Sequence, residues 1–428
     1  MINKALKWSL MTVVLLSVLF PVGAYIATVA VFIAAIQARK SRQVIAELCS
    51  DIPMLVLVFC GLLSIIFSRD ILISAGAAVL MCLNLGLYLT LKVAMKDMDL
   101  QRVYKLLNVA CIIACVIGIY QFTSGNLKIE KSWVDERTFG SVTRVYATLL
   151  NPNIFAAYLA INLSFALARF KSLGEDLLLT LNIALASACL LMTYSRGGFV
   201  AFGAAMLMLY ILKEKKKGIF AYTAAMAAAF FLLNSAGPNN RADLSFVYQD
   251  SSSLYRVEIW KSAFNMFWSS PVFGHGLGTT WYYLSSGSEK LYRYILHSHN
   301  IYLQVAAEMG AVGLFGFSYL IWSRLSGSCR LLKAGEQGES AFALQGYIAC
   351  TAGILVHGLI DAVIFVPALS LVFMGYSALH STAAYQCRKG LAKPAAILEL
   401  LDGKSVLELF WSKSTGKYKY QEEESKAC

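Results

Sequence analysis

Apolar runs recur along almost the whole chain, at residues 9–20, 24–37, 53–67, 71–91, 104–121, 154–169, 177–194, 198–212, 219–234, 302–322, 341–360 and 364–383. A helix of about 20 residues crosses the hydrocarbon core of a bilayer. The pattern predicts an all-α polytopic membrane protein with about twelve transmembrane helices. The first two runs are short and can be one helix broken at Pro21; the two termini would then lie on opposite sides. Lys4 and Lys7 before the first run resemble a signal peptide, but apolar sequence resumes from Ala24 to Ile36, which favours a retained membrane segment.

Two polar segments interrupt the series, Phe122 to Asn153 and Ser235 to Ser298. The second is far longer than an ordinary connection. It carries Trp260, Phe264, Phe267, Trp268, Trp281, Tyr282 and Tyr283, too aromatic a set for disorder. Leu254 to Trp268 reads as an amphipathic helix suited to the headgroup layer. The division expected is a membrane domain over 1–385, with this loop at 235–298 holding short helices, and a polar tail over 386–428 that shows no chemistry.

Composition agrees. The 428 residues are 58% hydrophobic and 14% charged, and the mean hydropathy is +0.61. A soluble domain needs more charge to cover its surface. The formal net charge of +12 raises nucleic acid as a partner, which would require the charges on one soluble face. Instead, 26 of the 37 lysines and arginines fall in alternate connections and the tail. That is the positive-inside bias, and it predicts that both termini are cytoplasmic and the long loop is external. The 10 cysteines suggest neither a disulfide framework nor a zinc site, because none falls in the long loop and no paired spacing occurs.

The spans hold no Lys or Arg near their centres, and the uncommon polar residues are expected at the outer ends. Five groups stand there: Arg144-Val145-Tyr146 with Asn151-Pro152-Asn153; Ser195-Arg196-Gly197-Gly198; Arg256 with Trp260; His297-Ser298-His299-Asn300; and His357 with Asp361. Each has an ordinary explanation. Arg144 and Arg196 can snorkel to headgroup phosphates, and Arg256 can stack on Trp260 as a cation–π pair. His297 and His299 can be interfacial polar residues, and His357 a satisfied histidine inside a bundle. A histidine pair at i, i+2 also raises a metal, but no third ligand stands near it in the sequence.

Taken together they offer another reading. Several arginines beside a histidine suit a polyanion, because the guanidinium fork meets phosphate oxygens at two points and keeps its charge. Histidine can take a proton from an attacking hydroxyl. Asn300, Gln304 and Glu308 recur every four residues, a polar stripe expected to face the bundle interior.

The stretch Arg256…Trp260, Gly274-His275-Gly276-Leu277-Gly278, His297-Ser298-His299-Asn300-Ile301-Tyr302-Leu303-Gln304, Glu308 and Gly310 resembles the O-antigen ligase / O-antigen polymerase family. Ser195-Arg196-Gly197, Arg144 with Asn151 and Asn153, and His357 with Asp361 resemble its other outer features. The resemblance covers roughly residues 140 to 365. It implies metal-independent glycosyl transfer, without cofactor, from an undecaprenyl-diphosphate-linked glycan to a saccharide or lipid-anchored acceptor, at the outer face of a bacterial cytoplasmic membrane. Arg196 and Arg256 would hold the diphosphate with Arg144 assisting. One histidine of the pair, with His299 a better fit to the motif than His297, would activate or orient the acceptor hydroxyl; His297, Asn300, Trp260 and Asp361 would bind substrate, Asp361 by orienting a pocket side chain. A polytopic transporter or flippase of a lipid-linked oligosaccharide is the alternative, and it predicts polar residues lining both halves of the membrane. A scaffold or sensor has no need for arginines and a histidine converging on one face.

Overall fold

The computed structural model describes residues 12–13, 16–20, 23–30, 41–96, 98–124, 144–172, 176–213, 216–235, 251–286 and 297–390. Among these, every regular element is helical. In chain order they are α1 (Ser41–Ser50), α2 (Ile52–Ile66), α3 (Ile71–Met95), α4 (Leu100–Ser124), α5 (Pro152–Arg169), α6 (Leu177–Met192) and α7 (Arg196–Leu212). There follow α8 (Lys216–Ser235), α9 (Ser251–Ser269), α10 (Thr280–Ser286), α11 (Ile301–Lys333), α12 (Gly338–His357), a 3-10 turn (Val363–Phe365) and α13 (Pro367–Gly390).

The apolar runs from residue 53 onward each coincide with a helix. Parts of the runs at 9–20 and 24–37, parts of the long loop and the tail beyond residue 390 lie outside the described residues. Among the described residues, five helices are long and apolar enough to cross a membrane, namely α3, α4, α8, α11 and α12. The number is six if α1 and α2, bent by 87°, form one span. Twelve spans are not confirmed by length and composition among the described residues. α6 and α7 have 16 and 17 residues, and at about 1.5 Å per residue they fall short of a roughly 30 Å core. Nearly every side chain of α5 is buried by its neighbours, so its surface faces protein.

α5 packs against α6, α7 and α12, while α3 packs on α13 and α2 on α11. Gly353 of α12 lets α7 come close, since a methyl group there would stand 2.7 Å from the Ala201 carbonyl oxygen. Such close backbone approach is a common basis of helix association in lipid. Within the bundle, Asn182 donates to both Asn108 and Asn162 at 2.9 Å, and Asn162 donates to the Tyr376 hydroxyl at 3.0 Å.

Polar side chains are not confined to one end of the bundle, which corrects the expectation from sequence. At the end remote from the histidines, Arg324 pairs with Asp51 at 2.6 Å and Lys92 pairs with Asp51 at 3.4 Å and Glu47 at 3.2 Å. Lys96 also meets Glu47, and the Tyr88 hydroxyl donates to Asp51 at 2.6 Å. At the same end Arg169 bridges Asp176 at 2.7 Å and Glu339 at 2.9 Å. In both groups acids face bases across helices, so each works as an electrostatic staple between α1, α2, α3 and α11 or between α5, α6 and α12. Breaking a buried pair of this kind costs about 3–5 kcal/mol, because it strands a charge.

Candidate active site

Three helices begin at the opposite end of the bundle, each with an Asn or Ser cap. Asn151 accepts from the Asn153 and Ile154 amides before α5, Ser195 from the Gly198 amide before α7, and Asn300 from the Leu303 amide before α11. An α-helix carries about half a positive charge at its N-terminus, which suits anions.

Side chains tie these starts together. Arg144 donates through Nη2 to Asn153 Oδ1 at 2.9 Å and through Nε to the Thr193 carbonyl at 2.8 Å. Ser195 Oγ donates to the same Asn153 oxygen at 2.9 Å. Part of the Arg144 guanidinium therefore fixes the turn that carries Arg196. On that turn Gly197 lies against His357, and a methyl group on Gly197 would come within 2.8 Å of His357 Nε2. His357 is buried, and its Nδ1 has no hydrogen-bond partner among the described residues.

His357 ends α12, and the chain turns so that the Asp361 amide donates to the His357 carbonyl at 2.9 Å. Asp361 is the centre of the site. Its Oδ1 lies 3.1 Å from His299 Nδ1 and 3.8 Å from His297 Nδ1, and accepts the Ala362 amide at 2.9 Å. Its Oδ2 lies 3.6 Å from Arg256 Nη2. The α11 start docks on the same turn. The Ile301 amide donates to the Gly358 carbonyl at 2.8 Å, and Asn300 Nδ2 to the Leu359 carbonyl at 3.0 Å.

His299 sits in the left-handed region, with φ of 51°. A non-glycine residue there costs of order 1–3 kcal/mol and persists only where its surroundings impose it. Trp260 Nε1 donates to the His299 carbonyl at 3.1 Å, and Asp361 holds the ring. Trp260 is thus a backbone clamp, a role that its spacing from Arg256 in the sequence did not suggest. His297 Nδ1 accepts the His299 amide at 3.3 Å, and the two rings meet edge to face with centroids 4.3 Å apart.

These contacts set the charges. Burial opposes ionisation of Asp361, but the hydrogen bond from His299 and the neighbouring His297 and Arg256 outweigh it and hold the carboxyl far below its usual range. For His297, burial and then the neighbouring His299 and Arg256 push the pKa down to about 4, against the pull of Asp361.

Behind the histidines, α11 breaks at Gly310, where φ is 63° and ψ −161°. The glycine-rich turn of residues 271–278 docks on this break. His275 and Gly276 amides donate to the Ala307 and Glu308 carbonyls at 2.9 Å, and the Ala311 amide to the Pro271 carbonyl at 2.8 Å. The predicted polar stripe does face inward. Gln304 receives the Ser298 amide at 2.7 Å and donates to Glu308 at 2.6 Å, and Glu308 also accepts the Thr280 amide at 3.3 Å.

A family model described as O-antigen ligase matches residues 181–318. That stretch is similar to the O-antigen ligase family. The match spans Arg196, Arg256, Trp260, His297, His299 and Asn300; Arg144, His357 and Asp361 lie outside it. This match and the apolar helices are those of a multi-pass membrane protein, and the match supports glycan transfer of the O-antigen ligase/polymerase type at a coarse level. No curated protein matches the chain.

The tertiary structure draws Arg256, Trp260, His297, His299, Asn300 and Asp361 into direct contact, and sets the Arg196 turn beside them through Gly197 and His357. Sequence reasoning missed that Asp361 is shared by both histidines and Arg256. It also found no third metal-type ligand near the histidine pair, whereas the fold supplies one in Asp361, whose ligand atom lies within 4.8 Å of theirs. No local pattern could have found it, because the partners come from different helices.

Proposed function

We propose that this protein transfers a glycan from an undecaprenyl-diphosphate-linked donor to an acceptor hydroxyl, at the outer face of the cytoplasmic membrane and without a metal ion. The observation that carries the reading is the Asp361 carboxylate shared between His299 at 3.1 Å and Arg256 at 3.6 Å. An ionised carboxylate only accepts, so His299 donates its Nδ1–H to Asp361 and keeps a lone pair on Nε2. Nε2 takes the proton of the acceptor hydroxyl as its oxygen bonds to the anomeric carbon. The bond from that carbon to the diphosphate oxygen breaks, and the undecaprenyl diphosphate leaves with the electron pair. Arg256 and Arg196 meet the growing charge, helped by the start of α7. Arg144 fixes the Arg196 turn through Asn153 and Thr193.

The test uses His299→Ala in a strain lacking the native gene. Transfer should fall by about 10²–10⁴-fold while accumulation and membrane insertion stay normal; normal transfer by the variant would remove the proposed base. Separating envelope glycans by size in the gene-deleted strain also distinguishes the acceptor. Loss of long chains from a core anchor marks a ligase, and accumulation of single repeat units marks a polymerase.

A further inference from the structure

We infer that His297, His299 and Asp361 form a binding site for a divalent transition-metal ion of the Zn²⁺ class, and that occupancy there inhibits the enzyme. The three ligand atoms, two Nδ1 and one carboxylate oxygen, all lie within 4.8 Å of one another. Zn²⁺ bonds to nitrogen and oxygen of about 2.0–2.2 Å make a tetrahedron with edges of about 3.3 Å. Two of the edges are already near this length, 3.1 Å from His299 and 3.8 Å from His297 to Asp361 Oδ1. Closing the site needs side-chain adjustment, without a change of fold.

The carboxylate divides its oxygens in a way that admits the ion. Oδ1 faces the imidazoles and Oδ2 faces Arg256 at 3.6 Å, so monodentate binding through Oδ1 leaves the ion pair with Arg256 in place. Two imidazole nitrogens favour Zn²⁺, Co²⁺, Ni²⁺ or Cu²⁺ over Mg²⁺ or Ca²⁺, which prefer oxygen. His297 Nδ1 is unprotonated, because it accepts the His299 amide at 3.3 Å; the ion takes this lone pair, and the long hydrogen bond from the amide breaks. The fourth coordination position is left to water.

Inhibition follows from proton placement, and this half rests on the proposed role of His299. A metal ion on Nδ1 requires the lone pair of that nitrogen, so the Nδ1 proton moves through solvent to Nε2. No net proton is released from the neutral ring. Nε2 then carries a hydrogen and cannot accept one from the acceptor hydroxyl. The ion also withdraws the Asp361 oxygen that orients the ring.

Binding is tested without any glycan, so that its outcome is independent of the transfer reaction. The full chain, prepared without a polyhistidine tag and with exposed Cys49 and Cys82 alkylated, is titrated with Co²⁺ and followed by visible absorption. Nitrogen and oxygen ligation gives d–d bands with no thiolate charge-transfer band, and Zn²⁺ displaces them. His297→Ala and Asp361→Asn should each weaken binding by at least about tenfold. If either variant fails to fold, His297→Gln, which replaces the ring by a neutral amide, should give the same loss. Undiminished binding in folded variants, or a thiolate spectrum, overturns the site. With donor and acceptor added, Zn²⁺ should abolish transfer and excess EDTA restore it; Co²⁺ and Zn²⁺ bound at the site with transfer unchanged overturns the inhibition and counts against His299 as the base.

Discussion

His299 and Asp361 stand 62 residues apart in the chain, yet Nδ1 of the first lies 3.1 Å from Oδ1 of the second. The pair joins the turn after α12 to the start of α11. Asp361→Asn keeps the volume and removes the charge, so the amide no longer selects the tautomer with its lone pair on Nε2. The transfer rate at saturating donor should drop by about 10²-fold or more, with a smaller change in the donor KM. Initial rates across donor concentrations check this; a KM effect alone would make Asp361 a binding residue.

Arg256→Lys preserves charge and loses the planar fork. If Arg256 meets phosphate oxygens at two points while pairing with Asp361 Oδ2, transfer should fall by at least about tenfold, because one ammonium cannot serve both. Measured with purified protein and lipid-linked donor, full activity in this variant would mean that Arg256 supplies only charge.

His297 predicts a pH dependence of stability. Its pKa falls from 6.5 to about 4 on folding, so the unfolded chain binds the proton more readily. Above pH 6.5 both states are neutral at this group and it contributes no slope. As pH falls from about 6.5 towards 4, stability is lost, because protonation favours the unfolded chain. Thermal unfolding in detergent should show a declining Tm over that window, with a shallower decline in His297→Gln. Equal slopes would place the titration elsewhere.

Gly310 is expected to tolerate no side chain. Its φ is 63°, and a methyl group there would stand 2.3 Å from the Val272 carbonyl oxygen. Gly310→Ala forces backbone apart at the junction of α11 with the glycine-rich turn. Strain and overpacking should destabilise the protein by about 2 kcal/mol or more, read as a lower Tm and poorer yield.

Much of the fold was legible in the sequence. The apolar runs located most helices from Ile52 onward, because hydrophobic length and helix length are nearly the same quantity in a membrane, but α11 runs eleven residues and α13 seven residues beyond the apolar stretch. The Asn300-Gln304-Glu308 stripe was readable for a similar reason, since helical periodicity puts those positions on one face. The number of spans was not legible, because an apolar helix such as α5 reads the same whether lipid or protein surrounds it. The Glu47–Asp51–Lys92–Arg324 staple escaped notice because each charge, just beyond or at the edge of an apolar run, looks like an interfacial residue.

The amino-acid order alone set the helices, their caps at Asn151, Ser195 and Asn300, and the residue types that could handle a phosphate and a proton. Only the tertiary structure decided that His297, His299 and Arg256 share Asp361, that Gly197 brings the Arg196 turn against His357, and that Gly310 breaks α11 where the glycine-rich turn docks. Hydrophobic periodicity and capping act over a few residues and leave a mark in any short window. The pairing of side chains on different helices depends on how those helices pack, and no local stretch of sequence records it.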